Sequence, residues 1–402
     1  MKSLKISRRS FIKYSSLSIL GLSFKNLVFS STTKDKKPIS DKKIIKRKLG
    51  NTGIEIPIVS MGVMRADQPQ LVEKAYDLGI RHFDTAHSYQ NGKNEQLLGE
   101  VLKKYPRDSY IIATKISVEG IDRRTGEIIK DLSVEEFMNK LNISLERLNT
   151  KYVDILYYHA VSTPTVFQNE SFIKCLTEAK KSGKARFVGI STHKNEPEVI
   201  QGAIDSKIID VILTSYNFKQ SHYNELKDKI SLASKNGIGI IAMKTMAGVY
   251  LDKERTKKIN CKAALKWVLQ DVNVHTTIPG ITTLEELYEN ISVAYNIELT
   301  EDEKNDLENA RQMASLYCDG CEKCTSNCNK QLPIPDIMRA YMYGYGYHDF
   351  KNSRIVLEQI GINNNPCYDC NICNVKCQKN FFIKEKITEI TRVLDIPFEF
   401  LA

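Results

Sequence analysis

The residue types best able to carry out chemistry in this 402-residue chain stand where apolar, strand-like runs end. Asp84 ends the first of these runs, and Tyr89 follows five residues later. Lys115 ends a second run, and His159 ends a third. Side chains at the carboxyl ends of parallel barrel strands face the substrate, so a carboxylate, a phenol, an amine and an imidazole would meet in one small volume. Groups of these types exchange protons with a reacting carbonyl or alcohol.

A second set of reactive residues lies near the end of the sequence, where eight of the ten cysteines fall into two identical runs. Their spacing is that of bacterial ferredoxins, which hold two 4Fe-4S clusters. Tight loops let three thiolates of one run face a cluster while the fourth reaches the other cluster. The predicted ligand sets are Cys318, Cys321 and Cys324 with Cys377, and Cys367, Cys370 and Cys373 with Cys328. Zinc sites and disulfides are the alternatives, although neither has a reason to repeat this run.

The elements that must position the first set alternate along the chain. Strands are predicted near 58–62, 80–84, 110–115, 153–158, 185–190, 210–214, 238–242 and 274–278, with amphipathic helical patterns between them. A hairpin around Gly50 and Gly53 precedes them, and 334–357, between the cysteine runs, has a helical pattern. Eight such repeats predict a closed parallel barrel, although the spacing alone leaves a doubly wound sheet open.

In type, order and context, Asp84, Tyr89, Lys115 and His159 resemble the Asp-Tyr-Lys-His tetrad of the aldo-keto reductases. The resemblance covers about residues 44–297 and favours a (β/α)8 TIM barrel, followed by a small, mainly α-helical ferredoxin-like domain with two 4Fe-4S clusters. It implies that Tyr89 is the general acid toward a carbonyl oxygen that His159 orients. Asp84 would hold Lys115 charged, and that charge would lower the pKa of Tyr89 from its usual value of about 10.

The same resemblance predicts a nicotinamide cofactor that is bound without a glycine-rich loop. The matched positions are Ser191 for the carboxamide, Tyr216 for stacking on the nicotinamide, Lys244 toward the phosphates, and Gly280 and Asn290 at the adenosine end. Packing at the barrel mouth is the alternative for Tyr216. Glu286 stands where members that prefer NADP place an arginine, and a carboxylate repels a 2′-phosphate. The choice between NADP and NAD therefore stays open.

The basic excess of the sequence is concentrated at its N-terminus. Residues 1–48 hold 14 Lys and Arg against two Asp, and subtracting this local +12 from the net charge of +10 leaves −2 for the rest. That balance excludes the electrostatic footprint of a nucleic-acid-binding protein. The segment 7–13, which contains Arg8 and Arg9 and precedes a short apolar run, resembles a twin-arginine export signal. A basic disordered tail is the alternative.

Together these patterns predict a signal peptide at 1–30, a linker at 31–43, the barrel at 44–310 and the iron–sulfur domain at 311–395. We expect an oxidoreductase that the twin-arginine machinery exports to the periplasm or cell envelope, and that interconverts a small carbonyl and its alcohol. Its clusters would exchange electrons with an external carrier or serve structure alone. The alternative is a non-catalytic redox-sensing or binding protein that retains the barrel.

Overall fold

The computed structural model of the protein describes residues 43–122, 125–313 and 315–401. These residues belong to one compact unit that begins at Lys43. The predicted export signal at 1–30 and nearly all of the linker at 31–43 lie outside the described residues. Within the described ranges, no helix has the length and apolar character needed to cross a membrane.

A hairpin closes the lower end of the fold, with β1 (Lys46–Lys48) paired antiparallel to β2 (Glu55–Pro57). Leu49 and Ile56, both buried, join the apolar cluster inside the barrel. The loop between the strands contains Gly50 at a φ of 50°, where a Cβ atom would lie 2.3 Å from the carbonyl oxygen of Gly237. Glycine is therefore required at this contact. Because Gly237 precedes a barrel strand, the hairpin covers the end of the barrel where strands begin.

Eight parallel strands form the centre of the molecule, each paired with the next in chain order. They are β3 (Met61–Gly62), β4 (His82–Asp84), β5 (Ile111–Ile116), β6 (Val153–Tyr158), β7 (Ala185–Thr192), β8 (Val211–Ser215), β9 (Gly239–Met243) and β10 (Thr276–Thr277). Parallel bridges from Val59 to Thr277 and from Gly62 to Gly280 join the first strand to the last. The predicted eight-stranded barrel is confirmed, and the doubly wound sheet is excluded.

Eight helices pack around this barrel, one after each strand. They are α1 (Pro69–Asp77), α2 (Lys93–Leu102), α3 (Val134–Arg147), α4 (Glu170–Lys181), α5 (Glu196–Ser206), α6 (Tyr223–Lys235), α7 (Cys261–Leu269) and α8 (Leu284–Val293). Several begin at a residue whose side chain accepts a hydrogen bond from the first helical turn, as Ser133, Asn169, Asn260 and Thr283 do. Each such cap stabilises its helix by about 1 kcal/mol. The apolar faces and the outer faces of the strands form the largest core cluster.

The remaining described residues are mainly helical. They form α9 (Glu301–Gln312), α10 (Ile334–Tyr341), a π-helical turn (Met342–Gly346), α11 (Phe350–Gln359) and α12 (Ile383–Thr391). A separate apolar cluster, which includes Ile337, Leu357 and Ile387, holds α10, α11 and α12 together. The helix predicted over 334–357 is therefore present as two helices with a π-helical turn between them.

This C-terminal region packs on the face of the barrel where the strands end. Lys219, which follows β8, donates hydrogen bonds from Nζ to the carbonyl oxygens of Ala310 and, at 3.0 Å, Met313. Arg65, which follows β3, donates from Nη2 to the carbonyl oxygen of Tyr347 at 2.8 Å. Lys379 in turn donates to the carbonyl oxygen of Lys219. The C-terminal helices therefore cover the end of the barrel opposite the hairpin.

Candidate active site

A buried ion pair between Lys115 and Asp84 lies at the covered end of the barrel. Lys115 ends β5 with its Nζ bonded to Asp84 Oδ1 and, at 2.6 Å, to the carbonyl oxygen of Thr85. Both charged side chains are only 2–3 % exposed. Burial raises the pKa of Asp84 and lowers that of Lys115, and each charge opposes the shift of the other. The pair sits on adjacent strands, as the sequence predicts.

Tyr89 and His159 lie beside this pair. Lys115 Nζ is 5.0 Å from the centroid of the Tyr89 ring. The Tyr89 and His159 rings meet edge to face, with their centroids 6.0 Å apart. Both side chains are half-buried, and we call the space beside them, at the covered end of the barrel, the recess. The structure thus brings all four predicted catalytic side chains together.

The electrostatics of Tyr89 differ from the sequence-based expectation. Burial raises the pKa of Tyr89 above its usual value, and the negative charge of Asp84 raises it further. The predicted lowering by Lys115 is wrong for the protein without ligands, because the Lys115 ammonium is bonded to Asp84 and its charge is offset there. Tyr89 therefore carries its proton at neutral pH, the state required of an acid.

Residues of the C-terminal region complete the recess. Arg339 on α10 lies with Nη1 3.4 Å from Nδ1 of His193, which follows β7, and Nη2 2.8 Å from Oδ1 of Asp336. Burial lowers the pKa of Lys244, which follows β9, and the Arg339 charge helps to bring it to about 7. Burial also raises the pKa of Tyr343, an effect that Arg339 opposes and Tyr89 increases. The region is thus within electrostatic reach of the tetrad.

Two residues predicted at the adenosine end of a cofactor have surroundings that fit a ligand. Asn290 on α8 is buried, and neither polar atom of its side chain has a hydrogen-bond partner among the described residues. A Cβ atom at Gly280 would meet no atom within 4 Å, so the space beside this residue is open. Glu286 accepts bonds from the Thr282 backbone at 2.7 Å and hydroxyl at 2.9 Å, which keeps its carboxylate beside this segment.

Two other predicted cofactor residues, Ser191 and Tyr216, lie at strand ends and differ in whether their side chains are already engaged. Ser191 is buried on β7, and its Oγ accepts a hydrogen bond from the Ala160 backbone at 2.9 Å. Because Oγ is the acceptor in that bond, the hydroxyl proton of Ser191 can still be donated to a ligand. Tyr216, which follows β8, is 2 % exposed and packs on Trp267 with the ring centroids 5.2 Å apart. This contact agrees with the packing alternative, and stacking of Tyr216 on a nicotinamide stays a prediction.

Two cavities in the C-terminal region gather the cysteines in the predicted combinations. The first is lined by Cys318, Cys321, Cys324 and Cys377. The second is lined by Cys328, Cys367, Cys370 and Cys373. Each cavity therefore receives three thiols from one run and one from the other. Ser221 of the barrel also borders the first cavity, which places it nearer the barrel face.

The thiols themselves are not assembled into a metal site. In the described part of the chain, no three His, Cys, Asp or Glu side chains are grouped so that they could hold a metal ion. All ten cysteines, which lie within the described ranges, are free thiols, so the disulfide alternative has no support. Cys175 and Cys261 are buried on α4 and α7, away from both cavities.

Comparison with known proteins identifies the barrel. The sequence model of the aldo/keto reductase family matches residues 56–263. The chain belongs to this family. It is an oxidoreductase, and its cysteine runs lie beyond the part that the family model matches.

Named relatives are similar to this reductase over about two thirds of its length. It is 29 % identical to L-galactose dehydrogenase of Arabidopsis thaliana over 297 residues, which are 64 % of this chain and 90 % of that protein. It is 28 % identical to L-glyceraldehyde 3-phosphate reductase of Escherichia coli O157:H7, over 64 % of this chain and 89 % of that protein. An aldo-keto reductase of Bacillus halodurans shares the fold, with a TM-score of 0.54 and 21 % identity, over 67 % of this reductase and 96 % of that chain.

The sequence did not reveal the contributions of Arg339, Tyr343 and His193 to the recess. Asp336 and Arg339 are the charged residues of the otherwise apolar helix α10, and this spacing predicts an ion pair. Nothing in the spacing shows that α10 lies over the barrel mouth, because that placement depends on contacts between distant segments.

Proposed function

We propose that the protein is a nicotinamide-dependent reductase that interconverts a small carbonyl compound and its alcohol. The observation that carries this proposal is the buried Lys115–Asp84 pair, with Tyr89 and His159 beside it at the end of the barrel where the strands finish. The names of relatives support a small substrate, since they include L-glyceraldehyde 3-phosphate reductase and, in Salmonella typhi, methylglyoxal reductase.

Each residue of the tetrad has a distinct task in this proposal. A bound nicotinamide would supply or accept a hydride. Tyr89, which keeps its proton, donates it to the carbonyl oxygen during reduction, and His159 orients that oxygen with a hydrogen bond. Lys115 lies below Tyr89, where its positive charge stabilises the negative charge left on the phenol oxygen. Asp84 and the Thr85 carbonyl hold the Lys115 ammonium in place.

Asn290, Gly280, Ser191 and Lys244 are the residues that we propose to hold the cofactor. The unpartnered amide of Asn290 and the open space at Gly280 suit an adenosine group. Glu286 disfavours a 2′-phosphate, because its carboxylate lies beside this segment and like charges repel. We therefore expect the titration described below to show a preference for NADH over NADPH.

We further propose that the C-terminal region binds two 4Fe-4S clusters and that the protein belongs to an iron–sulfur branch of the family. The support is the agreement between the ferredoxin spacing and the two cavities, each of which collects four thiols from both runs. Clusters would supply one-electron transfer to an external carrier. Anaerobically prepared protein should contain about eight iron atoms and eight sulfides per chain. Zinc in place of iron would refute this part.

We propose that the protein is exported by the twin-arginine route to the periplasm or cell envelope. Residues 7–13 lie outside the described ranges, so the support comes from the sequence. It is the resemblance of this segment, with the apolar run that follows it, to a twin-arginine signal. Replacing both Arg8 and Arg9 by Lys should leave the protein in the cytoplasm, as measured by cell fractionation. Unchanged fractionation would contradict export by this route.

The decisive experiment is an anaerobic titration with NADH and with NADPH. Fluorescence of Trp267, which packs against Tyr216, reports binding, and visible absorbance reports any change in the clusters. Binding with loss of visible absorbance would support electron transfer between nicotinamide and clusters, whereas binding without it would assign the clusters to structure. Failure to bind either nucleotide would refute the nicotinamide-dependent reductase.

A further inference from the structure

Arg339 lies at the barrel mouth beside His193, with part of its side chain exposed. Arg339 is 22 % exposed, and its one ion-pair partner among the described residues is Asp336, at 2.8 Å. Lys244 is half-buried at a φ of 54°, and it forms no ion pair with a carboxylate of the described residues. The Asp336 carboxylate is therefore bonded to Arg339 and not to Lys244.

Another carboxylate near Lys244, that of Glu196, is already engaged in other bonds. Glu196 lies close enough to act on the charge of Lys244. Its oxygens, however, accept hydrogen bonds from Ser215 at 2.7 Å and Gln220 at 3.3 Å, and one lies 3.1 Å from His222 Nε2. A carboxylate so bonded is held in place, so it acts on Lys244 through space and forms no ion pair with it.

Arg339 lies near the reacting groups of the tetrad. His193, which contacts Arg339, follows β7 and lies within electrostatic reach of His159, which follows the neighbouring β6. Tyr343 lies within electrostatic reach of both Arg339 and Tyr89. A ligand with its carbonyl between Tyr89 and His159 would therefore have the charge of Arg339 within electrostatic reach.

We propose that Arg339 binds an anionic group, a carboxylate or a phosphate, of the substrate. A guanidinium presents paired N–H donors that match the oxygens of either group. The C-terminal region thus contributes a substrate-binding residue to the barrel. This inference rests on the proposed reductase function. Such a site would favour acidic carbonyl compounds over neutral ones as substrates.

The phosphates of a bound cofactor carry the same chemistry as such a substrate. The two sources are separable, because a substrate site changes KM for acidic substrates alone, whereas a cofactor site changes the Kd for the nucleotide with every substrate. The placement of Arg339 beside His193 and near Tyr343 favours the substrate.

The test uses matched pairs of substrates with the full-length protein. Glyceraldehyde 3-phosphate is compared with glyceraldehyde, and succinic semialdehyde with butanal, so that each pair differs in its anionic group. For Arg339→Gln we expect KM for the acidic member to rise by about tenfold to a hundredfold, with KM for the neutral member and the nucleotide Kd unchanged. Arg392→Gln, at an exposed position of the same region, is the control.

A second variant makes the test independent of folding defects. Asp336→Asn removes the carboxylate that offsets Arg339, so KM for the acidic substrates should fall, opposite to the effect of Arg339→Gln. The double variant leaves no unpaired charge on α10 and should resemble Arg339→Gln. Equal effects on acidic and neutral substrates, or a change in nucleotide Kd alone, would overturn the inference. Wild-type protein that reduces no substrate of either kind would instead refute the reductase function.

Discussion

Tyr89 shows how a buried ion pair determines the protonation of its neighbour. Burial raises the pKa of Tyr89, and the negative charge of Asp84, to which Lys115 is bonded, raises it further. A phenol in this state is a donor, which suits the reduction of a carbonyl. Oxidation of an alcohol requires the proton to leave Tyr89 first, so we expect this direction to need higher pH.

Replacing Tyr89 by Phe removes the proposed acid and retains the ring. We expect kcat for carbonyl reduction to fall by at least about a hundredfold, the effect of losing a general acid, while nucleotide Kd and thermal unfolding change little. Steady-state kinetics and fluorescence titration measure both. Tyr105→Phe, which removes a phenol that stacks on Tyr76, is the matched control. Equal activity of Tyr89→Phe and the control would show that Tyr89 is not the acid.

His82 on β4 predicts a pH dependence of stability. It is fully buried, neither ring nitrogen has a hydrogen-bond partner among the described residues, and burial with the nearby Lys115 charge lowers its pKa to about 3. An unfolded histidine titrates near pH 6.5, so between these values only the unfolded state takes up the proton. The free energy of unfolding must therefore fall as pH decreases through this window, by up to about 1.4 kcal/mol per unit.

His82→Leu should remove this contribution. The difference in unfolding free energy between the variant and the wild type, measured by urea denaturation from pH 7 to pH 4, should shift in favour of the variant as pH falls. Other histidines titrate equally in both proteins and cancel in the difference. Parallel curves would mean that His82 does not titrate as its surroundings require.

Sequence patterns identified site residues best where a residue's position depends only on the strand that it ends. Asp84, Lys115 and His159 each end an apolar run, and all three lie together in the structure. The pKa of Tyr89 could not be read in the same way, since it depends on burial and on where the Lys115 charge is bonded. Arg339 was missed because its position depends on how a whole helix packs.

Among the elements, the hairpin β1–β2 has a structural task that is separate from the site. Leu49 and Ile56 fill the lower end of the barrel, and Leu49 also packs against the backbone of Gly239 at the start of β9. The tetrad lies at the opposite end. Stability and catalysis can therefore be changed independently through this hairpin.

Leu49→Ala should lower the free energy of unfolding by about 2–5 kcal/mol, because it leaves a cavity in a fully buried cluster. We expect kcat at 25 °C to stay within about twofold of the wild type, since no atom of the site is touched. Urea denaturation and steady-state kinetics measure the two effects. Lys46→Ala, an exposed change in the same hairpin, should alter neither. A large loss of activity in Leu49→Ala would mean that the hairpin also shapes the recess.

Strands were predicted well because their apolar runs are bounded by polar or glycine-rich segments. All eight barrel strands lie at their predicted places, although β3 and β10 each keep only two residues of regular pairing. The 334–357 segment was predicted less well, since its helical periodicity continues through Met342–Gly346 while the backbone there forms a π-helical turn. Tertiary packing decides that change: a Cβ at Gly344 would lie 3.0 Å from Ile390 and Phe350.

At the scale of the whole molecule, barrel and C-terminal region act as one unit. Lys194 pairs with Glu322 at 2.6 Å, and Asp319 accepts a bond from the Ser221 backbone at 3.0 Å. Ser221, Asp319 and Glu322 also line the first cysteine cavity. A structural change at the cysteines should therefore alter the positions of residues at the barrel mouth.

Cys377→Ala tests the exchange of ligands between the two runs. If Cys377 completes the first cavity, the variant should lose about half of its iron, and the signal of one cluster should disappear from electron paramagnetic resonance spectra while the other stays. Cys261→Ala, which removes a buried thiol from α7, is the control and should retain all iron. Loss of both clusters, or of neither, would contradict independent crossed ligand sets.

The first cavity also bears on the order in which the protein is made. A ribosome releases β3 to β10 long before it has synthesised Cys377, so the barrel can pair its strands while that cavity still lacks a wall. The wall arrives with Lys379, whose ammonium bonds to the Lys219 carbonyl and pairs with Asp319. Enclosure of the proposed cluster in this cavity would therefore follow synthesis of the barrel, and machinery that inserts it would act on a chain whose barrel has already emerged.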